Sequence, residues 1–227
     1  MPPDINILGY SGSHMALIFE TLSQLKYKGK VRVVMHDDTK YFDVAFQSDI
    51  PCEISRFDML SNIPVEGLFF CSNKPSNKIF LFSFFGEKWS VSQDMFTSIV
   101  HPSSVIASSV YCKGGLYVEP LSVISPYTKI GFGVSINRHC SIGHHNIIHD
   151  YCSIYPGTHI TGDVEIETAV TIGPGTTVFS GVKIGKNSVI GGGSVVTRDI
   201  PSNVLAFGNP CKPVKDIPPS PPQTNIT

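Results

Sequence analysis

From Val100 to Val196 every sixth residue is isoleucine or valine, with Cys112 the one exception among seventeen positions. A period of six matches neither the 3.6-residue turn of a helix nor the two-residue alternation of a plain strand. It fits a chain that runs straight for a few residues, turns, and repeats the turn at a fixed interval. Three such hexapeptide segments close one triangular coil, and stacked coils make a prism. The aliphatic side chain of each segment points inward and stacks on its equivalents about 4.8 Å above and below. Glycine often follows the aliphatic, as at Gly131, Gly143, Gly173, Gly185 and Gly191. A small or β-branched residue often stands four places after it, as at Ser122, Thr128, Thr158, Thr176, Ser188 and Ser194. Glycine and polar residues are expected at the corners, where the chain bends sharply. Residues 99–200 therefore read as one β-helical domain.

Residues 1–98 lack this phase and read as a separate domain. "INILGY" (5–10) is a buried strand, and "SGSHMALIFETLSQLK" (11–26) is a turn followed by an amphipathic helix. "VRVVMHDD" (31–38) is a second strand ending in acids, and "GLFFCS" (67–72) is a third. "NKIFLFSFFGEKW" (77–89) suits a helix or a strand equally. Strand, glycine turn, helix, strand and acid outline a βαβ, Rossmann-like nucleotide-binding unit. In Gly9-Tyr-Ser-Gly12-Ser-His14 the glycines would let backbone N–H groups approach a phosphate at the helix start, or serve a simple tight turn. Asp37 or Asp38 would accept hydrogen bonds from a nucleoside. The fold class is mainly β, with this α/β domain in front of the β-helix. Residues 201–215 follow the last coil, and the proline-rich stretch 216–227 reads as a disordered tail.

The bulk properties remove several classes. The formal net charge is −1, which disfavours a nucleic-acid partner. There is no apolar run long enough for a membrane span, and the N-terminus has no export-signal pattern. The six cysteines form no CxxC pair, so they read as mostly buried thiols in a cytoplasmic protein.

The two halves together resemble the hexapeptide-repeat acetyltransferases of the sialic acid, bacillosamine and perosamine pathways. The pieces that carry the resemblance are "LGYSGSH" (8–14), "HDD" (36–38), "IVHPSSVI" (99–106), "KIGFGVSINRHCSIGHHNIIHDYCSIYPG" (129–157) and "VIGGGSVVTRDIPSNVLAFGNPCK" (189–212). The resemblance implies a left-handed parallel β-helix, a homotrimer, acetyl-CoA as co-substrate, no metal, and a nucleotide-linked amino sugar as acceptor. By it, Asn137 and His144 take the places of a substrate-binding asparagine and a general base. A histidine suits that task because its pKa lies near neutrality. Gly162 stands three hexapeptides after His144, one coil above it. There its N–H would meet a developing oxyanion, and its missing side chain would admit the cofactor arm. By the same resemblance Gly12 and His14 lie near the sugar, Asp37 or Asp38 holds the nucleoside, and Lys212 in "GNPCK" meets a cofactor phosphate.

Two departures stand out. His145 occupies the place of the acid that usually follows the base, leaving Asp150 or an acid of another chain as possible substitutes. Ser153 replaces a second histidine. Competing readings are O-acetylation of sialic acid or another sugar, a non-catalytic β-helix subunit, and a gamma-class carbonic anhydrase. The last would use His144 and His149, but the chain has no histidine between 102 and 138 to complete a zinc site. His139, His149 and His159 read as surface residues, and His101 as a cover for the first coil.

Overall fold

The computed structural model describes residues 4–36, 48–63 and 66–218. The N-terminal part is a four-stranded parallel sheet in the order β3-β2-β1-β4, with β1 at Asp4–Leu8, β2 at Lys30–Met35, β3 at Cys52–Arg56 and β4 at Leu68–Phe70. Strand β3, with exposed and half-buried residues on the sheet edge, was not legible as a strand in the sequence. Helix α1 (Gly12–Gln24) joins β1 to β2, and helix α2 (Pro75–Trp89) follows β4. The ambiguous aromatic stretch is thus helical. Pro75 suits the first helical turn, and Ser90 ends the helix in a left-handed conformation at φ 54°.

Each face of this sheet has its own core. Ile5, Ile7, Val31 and Val33 pack with Met15, Ile18 and Leu22 of α1. Leu8, Val34, Leu68 and Phe70 pack with Ile79, Leu81 and Phe85 of α2. Both cores recruit residues from the repeat region, namely Ile99 and Tyr117 in the first and Phe132 and Tyr151 in the second.

The repeat forms seventeen two-residue strands, from β5 (Ile99–Val100) to β21 (Val195–Val196). From β5 to β18 each pairs in parallel with the strand three segments further on, as Ile136 pairs with Ile154 and Ile154 with Ile172. The strands fall into three sheets, the three faces of the prism. The first face holds 135–136 and 153–154, the second 141–142 and 159–160, the third 147–148 and 165–166. Inward aliphatics from Val118 to Val196 are buried, and the stack loosens only at the start, where Cys112 is exposed on the edge strand of the third face. Four of the six cysteines are buried, as expected of most of them, while Cys52 and Cys112 are exposed.

The corners obey a rule that composition hid. A left-handed backbone recurs every six residues, at Gly115, Leu121, Tyr127, Gly133, His139, His145, Tyr151, Gly157, Asp163, Ala169, Gly175, Gly181, Asn187 and Gly193. Glycine is therefore not the general corner residue. The glycines directly after the aliphatics answer a different demand, since a Cβ on Gly143 would stand 2.5 Å from the backbone of Thr161 on the next coil. The buried hydroxyls four places after the aliphatic satisfy corner carbonyls, as Ser122 Oγ does by donating to Asn137 O at 2.7 Å and Thr128 Oγ1 to Gly143 O at 2.8 Å.

After the prism, β22 (Val204–Gly208) extends the first face beside 189–190, and β23 (Cys211–Asp216) returns antiparallel to it. Asp216, read as the start of a tail, instead ends β23, and Ile217 N–H still donates to Asn203 O at 2.8 Å. The stretch beyond 218 lies outside the described residues.

Lys78 of α2 pins the two parts together. Its side chain is buried, and its Nζ lies within hydrogen-bond reach of four oxygens, Gly133 O at 2.7 Å, Ser135 Oγ at 3.2 Å, Cys152 O at 3.3 Å and Ser153 Oγ at 3.3 Å. Burial draws its pKa from 10.5 down to about 7. A lowered pKa means that the unfolded chain binds the extra proton between the two values, so stability rises with pH across that window and is lost as pH falls to about 7. Urea unfolding at several pH values should show this rise in the parent protein, and Lys78→Met should flatten it. In the prism, Ile154→Ala removes a fully buried stacking residue and should cost about 2–5 kcal/mol in the same measurement.

Candidate active site

The candidate residues named from the sequence fall mainly at a cavity of the α/β domain and at one corner of the prism. In the α/β domain the turn after β1 and the turn after β4 open onto a cavity of about 650 Å³. Its wall includes Tyr10, Ser11, Gly12 and His14 from one turn and Asn73 and Lys74 from the other. Gly12 begins α1, and Lys74 caps α2. Both helices thus start at this cavity, and neither has a side-chain cap or an acid in its first turn. Two helix N-termini and a lysine make the cavity a place for negative charge. His14 is 6% exposed and sits edge-on to Tyr117 at 5.4 Å. Burial, with Lys78 nearby, lowers its pKa to about 4, so it is neutral near pH 7.

The prism contributes Tyr155 to the cavity wall. Asn137 lies one coil below Tyr155 and is buried; its Oδ1 finds no partner among the described residues. Glu119, a further coil below, is buried, with one oxygen 3.3 Å from Arg138 Nη1. Asn73 Oδ1, like that of Asn137, has no partner among the described residues. Asn137 is therefore close to the cavity in register without lining it. Asp37 and Asp38 lie outside the described residues.

The second place is the corner between the second and third faces. His144 and His145 are both exposed there, and their Nδ1 atoms are 3.0 Å apart. His145 takes the left-handed position at φ 56° and lies against Tyr127, ring centroids 4.9 Å apart. Gly162 sits directly above His144. A Cβ on Gly162 would stand 2.5 Å from His144 Cε1 and 2.8 Å from its Nε2. The room left by the missing side chain is taken by the His144 imidazole. Gly162 is not the left-handed residue of its corner; Asp163 is, at φ 59°. Gly162 N–H has no acceptor among the described residues.

Two residues of this corner escaped the sequence reading. Asn146 is fully buried; its Nδ2 donates to Gly143 O at 2.7 Å and Thr161 O at 2.9 Å, and its Oδ1 accepts from Val164 N–H at 2.7 Å. It ties the turn carrying His144 to the turn carrying Gly162. Asp163 brings a carboxylate oxygen to 4.0 Å from His144 Nδ1. Both were reachable by counting: Asn146 holds a slot that serine and threonine fill elsewhere, and Asp163 is one full coil after His145.

Asp150, considered as the missing acid, is engaged elsewhere, accepting from Phe132 N–H at 2.8 Å and facing Lys113 at 3.4 Å. His149 pairs with Glu165 at 3.2 Å in a surface ladder with Lys183, so it does not join His144 as a zinc pair would require. The far nitrogens of His144 and His145 have no orienting carboxylate or carbonyl among the described residues, the support that protein zinc sites normally have. Ser153 is buried under Lys78 and donates to Asn73 O, facing the α/β domain. Lys212 is exposed on β23, opposite Phe207.

Gly162→Ala offers a test of this packing. The exposed ring can swing aside, so the thermal midpoint should stay within about 2–4 °C of the parent, while a structure of the variant should show His144 displaced.

The model of the bacterial transferase hexapeptide family (six repeats) matches residues 147–180. No curated protein matches the sequence. Among solved structures, the acetyltransferase domain of PglB from Neisseria gonorrhoeae, in complex with acetyl coenzyme A, is similar at TM-score 0.78 and 19% identity, over 94% of this chain and 100% of that one. A variant of perosamine N-acetyltransferase from Caulobacter crescentus, in complex with CoA and GDP-perosamine, is similar at TM-score 0.76 and 25% identity, over 94% and 97%. WeeI from Acinetobacter baumannii is similar at TM-score 0.73 and 22% identity, over 93% and 100%. In its repeat, and in the whole course of its α/β domain and left-handed parallel β-helix, the chain resembles the hexapeptide-repeat acetyltransferases.

Proposed function

We propose that this protein transfers the acetyl group of acetyl-CoA to the amine of a nucleotide-linked amino sugar, with His144 as general base. The observation that carries the reading is the setting of His144 on an exposed corner, where Nδ1 is engaged by His145 and Nε2, on the Gly162 side of the ring, has no hydrogen-bond partner among the described residues. An imidazole held on one nitrogen presents the other for proton transfer. As the sugar nitrogen attacks the thioester carbonyl, Nε2 takes the amine proton. The C–S bond then breaks, and the imidazolium returns a proton to the CoA sulfur. The N–H of Gly162, one coil above and without an acceptor among the described residues, would stabilise the oxyanion.

The cavity at the starts of α1 and α2 supports a nucleotide diphosphate in the α/β domain, with Gly12 and His14 at its wall. The unpartnered acceptors on Asn73 and Asn137 suit hydroxyl and amine donors of a sugar. Asp37 or Asp38 would hold the nucleoside, and Lys212 would meet a phosphate of CoA. The structures of the N. gonorrhoeae and C. crescentus proteins, with acetyl-CoA and with CoA and GDP-perosamine, support this pairing of substrates.

His144 and the cavity belong to different corners of one prism, and neither His144 nor His145 lines the cavity. A homotrimer in which the cavity of one copy faces the His144 corner of the next would unite them. Glycan assembly in the cytoplasm is the setting we propose. It agrees with six free cysteines, and no helix among the described residues is long and apolar enough to cross a membrane.

The test mixes the protein with acetyl-CoA and a panel of UDP-, GDP- and dTDP-linked 3-amino and 4-amino sugars, and follows free CoA thiol. One sugar should drive release, and His144→Ala should slow it about 10²–10⁴-fold. Release that survives in the variant would remove His144 from this role. Release with a sialic acid hydroxyl instead of an amine would make the enzyme an O-acetyltransferase.

A further inference from the structure

The base proposed above has no carboxylate beside it along the chain, because His145 follows His144 directly. A neutral imidazole at that place accepts a hydrogen bond but brings no negative charge to offset the imidazolium formed during proton transfer. The structure brings an acid in from the next coil. Asp163 lies three hexapeptides after His145, so the two occupy the same corner on successive coils, and both take the left-handed backbone, at φ 56° and 59°. Asp163 N–H donates to His144 O at 3.0 Å, which fixes the acid's main chain to the base's own residue. Its Oδ2 then stands 4.0 Å from His144 Nδ1. Asn146 locks the same two turns together from inside the prism.

We propose that Asp163 is the positioning residue of this site, supplying from the neighbouring coil the negative charge that His145 cannot. His144 Nδ1–H bonds the His145 nitrogen, which fixes its tautomer, while the Asp163 carboxylate, 4.0 Å from the same Nδ1, faces the positive charge that forms on the ring during proton transfer. The proton taken from substrate stays on Nε2, and Asp163 remains ionised throughout. The titratable groups facing His144 are His145 on its own corner and Asp163 on the coil above, with Tyr127 on the coil below stacked on His145. This inference rests on the reading of His144 as the base, so its test needs a readout that does not depend on turnover.

That readout is the pH titration of the His144 ring by NMR, in the full protein without substrates. Three proteins are compared, the parent, Asp163→Asn, and the double variant His145→Glu/Asp163→Asn, and the kcat–pH profile of each is recorded with the sugar found active. Removing a negative charge disfavours the imidazolium, so the ring in Asp163→Asn should titrate at lower pH. The acid limb of kcat should move the same way, and the plateau should fall about tenfold, with KM for acetyl-CoA unchanged. The double variant restores an acid beside the base and should recover both the titration and most of the rate. An unmoved titration in Asp163→Asn overturns the pairing, whatever the activity. So does a rate loss that the double variant cannot rescue, because it would mark Asp163 as a merely structural corner residue. If the titration moves but His144→Ala keeps full turnover, the pairing stands as electrostatics, and the catalytic use of it falls together with the assignment of the base.

Discussion

Closure of one coil every three hexapeptides, with an aliphatic side chain sealed inside each face, is the constraint from which the rest of this molecule follows. Ile136, Ile154 and Ile172 stack in one column because their strands pair in register, and each completes the apolar environment of the next. Parallel sheets normally need long crossovers between strands. Here the crossover is the remainder of the coil, so every strand finds its partner at a fixed distance in sequence. The cost falls on the corners, where residues as large as Tyr127 and Tyr151 adopt a left-handed backbone that side chains ordinarily avoid.

The same register builds the candidate site. A residue on one corner meets its equivalents one coil before and one coil after, and little else from the prism, so His144 is defined by Gly162 and Asp163 above it. Gly162 is bare because the His144 ring occupies the position of its Cβ. Asn146, buried at the same bend, satisfies two carbonyls and one N–H that would otherwise be stranded in the core. The apolar stack makes the corner rigid, and the rigidity places polar groups at hydrogen-bond range without any loop to order.

The α/β domain adds what a prism cannot, a recess with helix starts on two sides. It is held to the first face by shared cores and by Lys78, whose ammonium nitrogen finds four oxygens of the prism. An unpaired buried lysine would be strongly destabilising. With its acceptors in place it fixes the register between the turn after β4 and the coils at 133–135 and 152–153, and so the position of Asn73 beside the prism.

The period of six, read from Val100 to Val196, was enough to determine the prism, its inward residues and the neighbours from coil to coil, because a strict repeat leaves a chain one way to bury its aliphatics. It also pointed to His144 and Gly162 as stacked residues. Other features depend on which atoms meet, and only the tertiary structure decided them. Strand β3 carries no apolar pattern because it is an exposed edge, and α2 is aromatic enough to pass for a strand until the sheet needs a helix on that face. The left-handed corners fall on histidine, tyrosine and aspartate as readily as on glycine, so composition could not mark them. Above all, the acid nearest His144 is not the next residue in the chain but Asp163, which the coil carries back over it; sequence lists neighbours along one dimension, and this site is assembled along the axis of the prism.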